Sequence, residues 1–140
     1  TDTTEERILS VLEEDAQASY AEIADQASVS KPTVRKYVDK LESDGVIVGY
    51  SADIDPKKLA SRSIALVGIE VASEQYVEAS RQLAALDSVE ALYASSGDHT
   101  LMAEVRGTDG NAVGSAISED ILSVDGVEEA HPSFLQERLK

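Results

Sequence analysis

The chain has 140 residues, and its 27 Asp and Glu against 12 Lys and Arg give a formal net charge of −15 and an isoelectric point near 4.3. Cysteine is absent, so disulfides, thiolate zinc sites and cysteine nucleophiles are excluded. No apolar run approaches about 18 residues and no signal-peptide pattern opens the chain, which argues against a membrane partner and against secretion. With 42% apolar residues for a core, the composition predicts a folded cytoplasmic protein of one large or two small domains.

The acidic residues are spread along the whole chain rather than collected in a tail. One interpretation is an ordinary acidic protein that its net charge keeps soluble. The other is a protein of a salt-rich cytoplasm, where carboxylates hold water and cations and where molar salt screens their repulsion beyond about 3 Å. The presence of only six lysines favours the salt-rich interpretation.

The first fifty residues predict three helices. Segments 3–6 and 19–22 have the spacing of capping boxes, Ser30 is a natural N-cap that tolerates Pro32 in the following turn, and Gly45 is expected to end the third helix. Apolar residues recur at helical spacing. They are Ile8, Leu9, Val11 and Leu12 in the first helix, Tyr20, Ile23, Ala24 and Ala27 in the second, and Val34, Tyr37, Val38 and Leu41 in the third.

A short strand is predicted at Val46–Tyr50, where three of five residues are β-branched. The composition then becomes rich in turn formers, with Asp-Pro and two lysines before residue 60. We therefore expect a helix-turn-helix domain at 1–50, a linker at 51–62 and a second domain at 63–140.

The second domain alternates strands with helices. The predicted elements are strand 63–72, helix 73–86, strand 89–95, turn 97–100, strand 101–106, helix 112–122 and strand 127–135. Segment 86–91 resembles segment 124–130, and each follows a helix and enters a strand. The fold class is therefore predicted as α+β, with an N-terminal three-helix helix-turn-helix domain and a C-terminal ferredoxin-like βαββαβ domain.

The predicted sheet should be covered on both faces. Segments 64–69 and 101–103 are apolar at nearly every position, which is typical of strands buried on both sides. Two helices can cover only one face, and an exposed apolar face would favour aggregation. The sequence therefore predicts at least a homodimer.

The third helix has the charge pattern of a DNA-binding helix. Segment 30–41 carries four cations against Asp39, a local charge of +3 within a chain of −15. Cations and hydroxyls bind phosphates, arginine also reads base edges, and Ser30 with the helix N-terminus can receive a phosphate. The residues left for the outer face are Lys31, Thr33, Arg35, Lys36 and Lys40. The alternative is a solvated structural helix, but the scarcity of cations elsewhere favours double-stranded DNA as the partner.

Segments 19–24, 30–34 and, most specifically, 41–56 resemble the Lrp/AsnC family of transcription regulators, and the resemblance covers essentially the whole chain. It implies a winged or wing-less helix-turn-helix, a dimer built through the C-terminal sheets, tetramers or octamers in many members, and a small amino acid as effector. It also adds Ser19 and Pro32 to the candidate DNA-binding residues. Tyr37 stands where the family often has a second basic residue. Together with the acidity, the resemblance points to a halophilic archaeon as the source.

The turn at Gly97 and Asp98 looks like the family's effector site, a pocket between subunits for a small amino acid. Backbone N–H groups at Gly97 can receive a carboxylate, and Asp98 can receive an ammonium group. The candidate effector residues implied by the resemblance are Gly97, Asp98, His99, Thr100, His131 and Ser133. Thr100 stands where a second acid is common, and a purely structural hairpin turn is the alternative.

Other functions are weighed against these residues. His99 and His131 could ligate a metal together with Asp98. However, two histidines far apart in sequence are a weak metal signal, and a solvent-exposed histidine in the turn and another in the strand are favoured. Neither a metal nor a cofactor is therefore predicted. An enzyme resembling the siroheme decarboxylases of the same architecture would use His and Arg around a tetrapyrrole. The second domain and its linker supply few: Arg62, Arg81, Arg106, Arg138 and the two histidines. A non-enzymatic regulator is favoured, and an architectural DNA-binding protein without an effector remains a rival.

Overall fold

The structure, a computed structural model, describes residues 3–140, and the chain divides into two compact units between Asp53 and Ile54. In the described residues no helix combines the length and apolar character needed to cross a membrane.

The first unit consists of three helices, α1 (Thr3–Glu14), α2 (Tyr20–Ala27) and α3 (Lys31–Ser43). Thr3 is itself a helical residue of α1, so it is not the predicted cap. The apolar stripes meet in one core, as the helical spacing predicts. The buried side chains of this core are Ile8, Val11, Ile23, Ala24, Ala27, Val34, Val38 and Leu41.

Local capping fixes the ends of α2 and α3. The side chains of Ser19 and Ser30 accept hydrogen bonds from the backbone N–H groups of Glu22 and Thr33 at 3.1 and 3.3 Å, which confirms both predicted N-caps. Ser28 joins the two helices in the left-handed region (φ 59°). Gly45 follows α3 with φ 75°, the conformation that makes glycine a helix stop.

The predicted strand at Val46–Tyr50 is wrong: no strand forms in residues 3–53. The backbone N–H groups of Val46 and Ile47 both donate to the Leu41 carbonyl, at 2.9 and 3.0 Å, so the chain folds back on the end of α3. A strand needs a hydrogen-bonding partner, and β-branched composition alone does not supply one.

The second unit is a four-stranded antiparallel sheet with the βαββαβ order predicted, which confirms the fold class. Its elements are β1 (Ser63–Val71), α4 (Tyr76–Ala84), β2 (Val89–Ala94), β3 (Leu101–Gly107), α5 (Gly110–Ser115) and β4 (Val127–Leu135). The strand order across the sheet is β2-β3-β1-β4. Helix α5 continues as a π-helix over Ala116–Ile121, and a 3₁₀ turn, Ser73–Gln75, precedes α4.

Alternate residues of β1 face opposite sides of the sheet. Val67 and Ile69 are fully buried against the helices, together with Leu83 of α4 and Val113 of α5. The opposite side, here called the open face, carries Leu66, which is 40% exposed. Burial within one chain is therefore more complete on the helix-covered side, although Ile64 on the open face is also buried, and coverage of the open face by a second subunit stays a prediction.

Candidate functional site

A concave surface that encloses a volume of about 630 Å³ lies between the N-terminal end of α2 and the side of α3. Ser19 contributes from the α2 cap, and the cations are Lys31, Arg35 and Lys36 in the first two turns of α3. The lining residues are Ser19, Tyr20, Ala21, Lys31, Pro32, Arg35, Lys36 and Asp39. Five of the predicted DNA-binding residues therefore lie on one surface: Ser19, Lys31, Pro32, Arg35 and Lys36. Asp39 is the one acidic residue in this lining.

Three cations give this surface its charge. Lys31, Arg35 and Lys36 are exposed, and across residues 3–140 no carboxylate lies within ion-pair distance of any of them. The Arg35 guanidinium lies 5.0 Å from the centre of the Tyr20 ring, a cation–π distance that orients it without neutralising it. These three cations are therefore available to an anionic ligand.

The other candidate DNA-binding residues on α3 are engaged locally. The hydroxyls of Ser30 and Thr33 lie 2.8 Å apart, so each has a partner within the first turn. The Lys40 Nζ donates to Glu5 Oε1 at 3.1 Å, and this hydrogen bond raises the pKa of Lys40. Lys40 thus ties α3 to α1 and lies outside the concave surface.

The predicted effector turn joins β2 to β3. Gly97 has φ 121°, a conformation that a side chain would strain. The Ser95 backbone N–H donates to the Thr100 carbonyl at 3.1 Å, and the Ser95 hydroxyl donates to the His99 carbonyl at 2.7 Å. Gly97 and Asp98 are exposed at the tip, while His99 and Thr100 are half-buried.

The two histidines named from the sequence meet on the open face around Glu70 of β1. The His99 Nδ1 lies 3.1 Å from both carboxylate oxygens of Glu70, and the His131 Nε2 lies 3.4 Å from Glu70 Oε2. The two imidazole rings stack with centroids 5.3 Å apart. We call these three residues the His–Glu cluster.

Sequence reasoning missed Glu70. The available signal was its position as the one charged residue in the apolar segment 63–71. Of the other effector candidates, Ser133 pairs with Leu66 two positions along β4 from His131, on the same face. Asp98 does not join the His–Glu cluster, although the sequence had grouped it with the histidines.

Comparisons with known proteins agree with this architecture. A winged helix-turn-helix DNA-binding family model matches residues 1–48, and the Lrp/AsnC ligand binding domain model matches residues 64–140. The transcriptional regulator LrpA1 of Halobacterium salinarum is 74% identical over 100% of this chain and 99% of its own length. LrpA of Pyrococcus horikoshii is 37% identical over 99% of both chains.

A solved structure agrees as well: E. coli AsnC is 26% identical, covers 100% of this chain and 95% of that chain, and has a TM-score of 0.68. The Halobacterium relative supports the interpretation of the acidity as an adaptation to salt. The matching relatives are transcription regulators, and the two family models together span both units. The chain therefore belongs to the Lrp/AsnC family of transcription regulators, with a helix-turn-helix DNA-binding domain and a ligand-binding domain.

Proposed function

We propose that α3, here called the recognition helix, enters the major groove of double-stranded DNA and that Lys31, Arg35 and Lys36 make its principal contacts. The observation that carries this proposal is the presence, on one concave surface of a chain of net charge −15, of three cations with no carboxylate partner among residues 3–140. A helix-turn-helix docks with the N-terminal part of its second helix against base edges. The N-terminal position of these cations on α3 suits that geometry.

Each contact has a different role in the proposal. Arg35, held by the Tyr20 ring, reads a guanine edge through its paired N–H donors. Lys31 and Lys36 bind phosphates, and Ser19, Ser30, Pro32 and Thr33 at the helix starts approach the backbone. Lys40 contributes to the general attraction for DNA from the edge of the surface.

A comparison of two single variants tests these roles. We expect Arg35→Ala to weaken binding to the specific site by ~1–3 kcal/mol and to relax preference at one base pair, because a bidentate base contact is lost. Lys40→Ala should weaken binding to all sequences to a similar, smaller extent. Gel-shift titrations with specific and scrambled duplexes measure both effects, and unchanged binding by both variants would contradict this assignment of α3.

We also propose the following organisation. Residues 1–50 bind DNA, 51–62 link the domains, and 63–140 bind the effector and dimerise, in a protein that works beside the chromosome in the cytoplasm. Catalysis is not part of the proposal, since the named relatives are transcription regulators.

The dimer is proposed to form through the open face of the sheet. Leu66 and Tyr93 are 40% and 65% exposed there, and the strand register places Met102 next to Tyr93. Apolar side chains of this size on a sheet face favour a protein partner. A two-fold dimer would also present two recognition helices to two half-sites, and higher oligomers would add further pairs.

The dimer proposal predicts that Leu66→Asp shifts the protein from dimer to monomer. A carboxylate buried in an interface between two acidic chains lacks a partner and pays a desolvation cost. Val77→Asp is the matched control, because Val77 is 80% exposed on α4 and away from the open face. Sedimentation equilibrium measures the masses; a monomeric wild type, or an unchanged Leu66→Asp dimer, would contradict the proposed interface.

For the effector, we propose a small amino acid at the turn 97–100. Its carboxylate would meet the N–H groups of the turn at Gly97, and its ammonium group would meet Asp98. Thr100 and Ser133 supply hydroxyls nearby, and His99 and His131 close the site from the sheet. The support is the exposed Gly-Asp tip, where Asp98 makes no ion pair with any residue of the described part 3–140, within a domain that matches a ligand-binding family model.

A further inference from the structure

We propose that the His–Glu cluster is a binding site for a divalent transition-metal cation of the zinc type. Glu70, His99 and His131 each present one ligand atom, and these atoms all lie within 4.8 Å of one another. Imidazole nitrogen with carboxylate oxygen is a donor set that Zn²⁺ accepts, and two histidines with one glutamate is a known three-ligand zinc arrangement. The site lies apart from the recognition helix, but it shares His99 and His131 with the proposed effector site, so zinc is tested without any amino acid present.

The distances fit a tetrahedral ion. With Zn–N and Zn–O bonds near 2.0–2.1 Å, neighbouring ligand atoms of a tetrahedron lie about 3.4 Å apart. The His99 Nδ1 and His131 Nε2 lie 3.1 and 3.4 Å from Glu70 Oε2. Small side-chain rotations would place all three atoms around one ion, and a water molecule or another donor would complete the fourth position.

Three separate backbone segments hold the ligands, which argues for a preorganised site. Glu70 lies on β1, His131 pairs with Gly68 on the neighbouring β4, and His99 reaches the sheet from the β2–β3 turn. The ring of His99 lies over Gly68, where an added Cβ would overlap the imidazole. Glycine at this position is what allows the turn histidine to approach Glu70.

Charge also favours a cation. Glu129 Oε1 lies 3.9 Å from the His131 Nε2, so a second carboxylate borders the cluster. The side chains of Glu70 and His99 are only 24% and 30% exposed, which limits competition from water. By contrast, Glu104 on the same face is paired with Arg106 at 2.7 Å and has no histidine partner.

The test is isothermal titration of ZnCl₂ into tag-free protein, in KCl with excess Mg²⁺ to occupy the acidic surface. Mg²⁺ prefers oxygen ligands and does not compete for imidazole. We expect one saturable Zn²⁺ site per chain in the wild type. Glu70→Gln and His131→Ala should each bind at least about 100-fold more weakly, since loss of a direct ligand should exceed the 10–100-fold loss known for outer partners.

Two further variants distinguish Zn²⁺ coordination by the His–Glu cluster from Zn²⁺ attraction to the acidic surface as a whole. Glu104→Gln removes the same charge from the same face and should bind Zn²⁺ like the wild type. Gly68→Ala keeps all three ligands but displaces the His99 ring, so it should bind at least about tenfold more weakly. Circular dichroism of the apo-protein checks that each variant folds. If Glu70→Gln is unfolded, His131→Ala supplies the comparison, because the His131 side chain is half-exposed and its removal should disturb the fold less.

A tetrahedral absorption spectrum on loading with Co²⁺, lost in His131→Ala, would support the site directly. The proposal is overturned if the wild type shows no saturable Zn²⁺ site beside Mg²⁺. It is equally overturned if Glu70→Gln and Glu104→Gln bind Zn²⁺ alike, because the ion is then held by the acidic surface and not by the cluster.

Discussion

Combined substitution of Lys31, Arg35 and Lys36 by alanine is expected to weaken binding to specific DNA by about 3 kcal/mol or more, which is over about 100-fold. The three cations line one surface and have no carboxylate partner within residues 3–140. Their removal lowers the charge of segment 30–41 from +3 to 0. Without them the recognition helix no longer offsets the acidic surroundings, so the loss should include non-specific DNA. Fluorescence anisotropy with labelled duplexes measures both affinities.

The matched control is the combined alanine substitution of Lys57, Lys58 and Arg62. Both triple variants change the net charge from −15 to −18, but the control cations lie outside the helix-turn-helix. If α3 contacts the phosphates, only the α3 variant should lose affinity strongly, and its plot of log affinity against log salt should flatten by ~0.9 per lost contact. Equal losses in the two variants would mean that long-range charge alone controls binding.

Elements fixed by local chemistry could be predicted from the sequence. Ser19 and Ser30 each place an acceptor three residues before a free N–H, and Gly45 can adopt a positive φ at low cost. These signals depend on a few neighbouring residues, and the structure confirms the caps and the stop. The strand predicted at Val46–Tyr50 was wrong because a strand is defined by pairing with a distant segment, which local composition does not encode.

The candidate sites also divide into features set by local sequence and features set by distant pairing. The cations of α3 were identified from the local charge of +3 and from helical spacing, since that spacing settles which side chains face outward. The meeting of His99, His131 and Glu70 depends on the strand order and on the register that places His131 beside Gly68. Register is a non-local property, so the two histidines were named from the sequence while their shared partner Glu70 was not.

The second large effect is expected from binding of an amino acid at the turn 97–100. We expect one small amino acid, at ~100 times its dissociation constant, to stabilise the wild type by about 2.7 kcal/mol and to raise its midpoint by at least about 10 °C. Asp98→Ala should lose this shift while keeping the dimer, because the carboxylate proposed to hold the ammonium group is removed. Thermal denaturation with each of the twenty amino acids, in high KCl and with a chelator, measures the shift without metal.

Asp125→Ala is the matched control for that experiment. Asp125 precedes Gly126 in an exposed turn of the other half of the βαββαβ repeat, so the substitution removes the same charge from a similar turn. The control should respond to the amino acid like the wild type. If no amino acid shifts the wild type, the turn 97–100 is structural and the second domain serves assembly alone. If the amino acid stabilises Asp98→Ala and the wild type equally, binding occurs elsewhere, since a ligand stabilises only through the contacts it makes in the folded state.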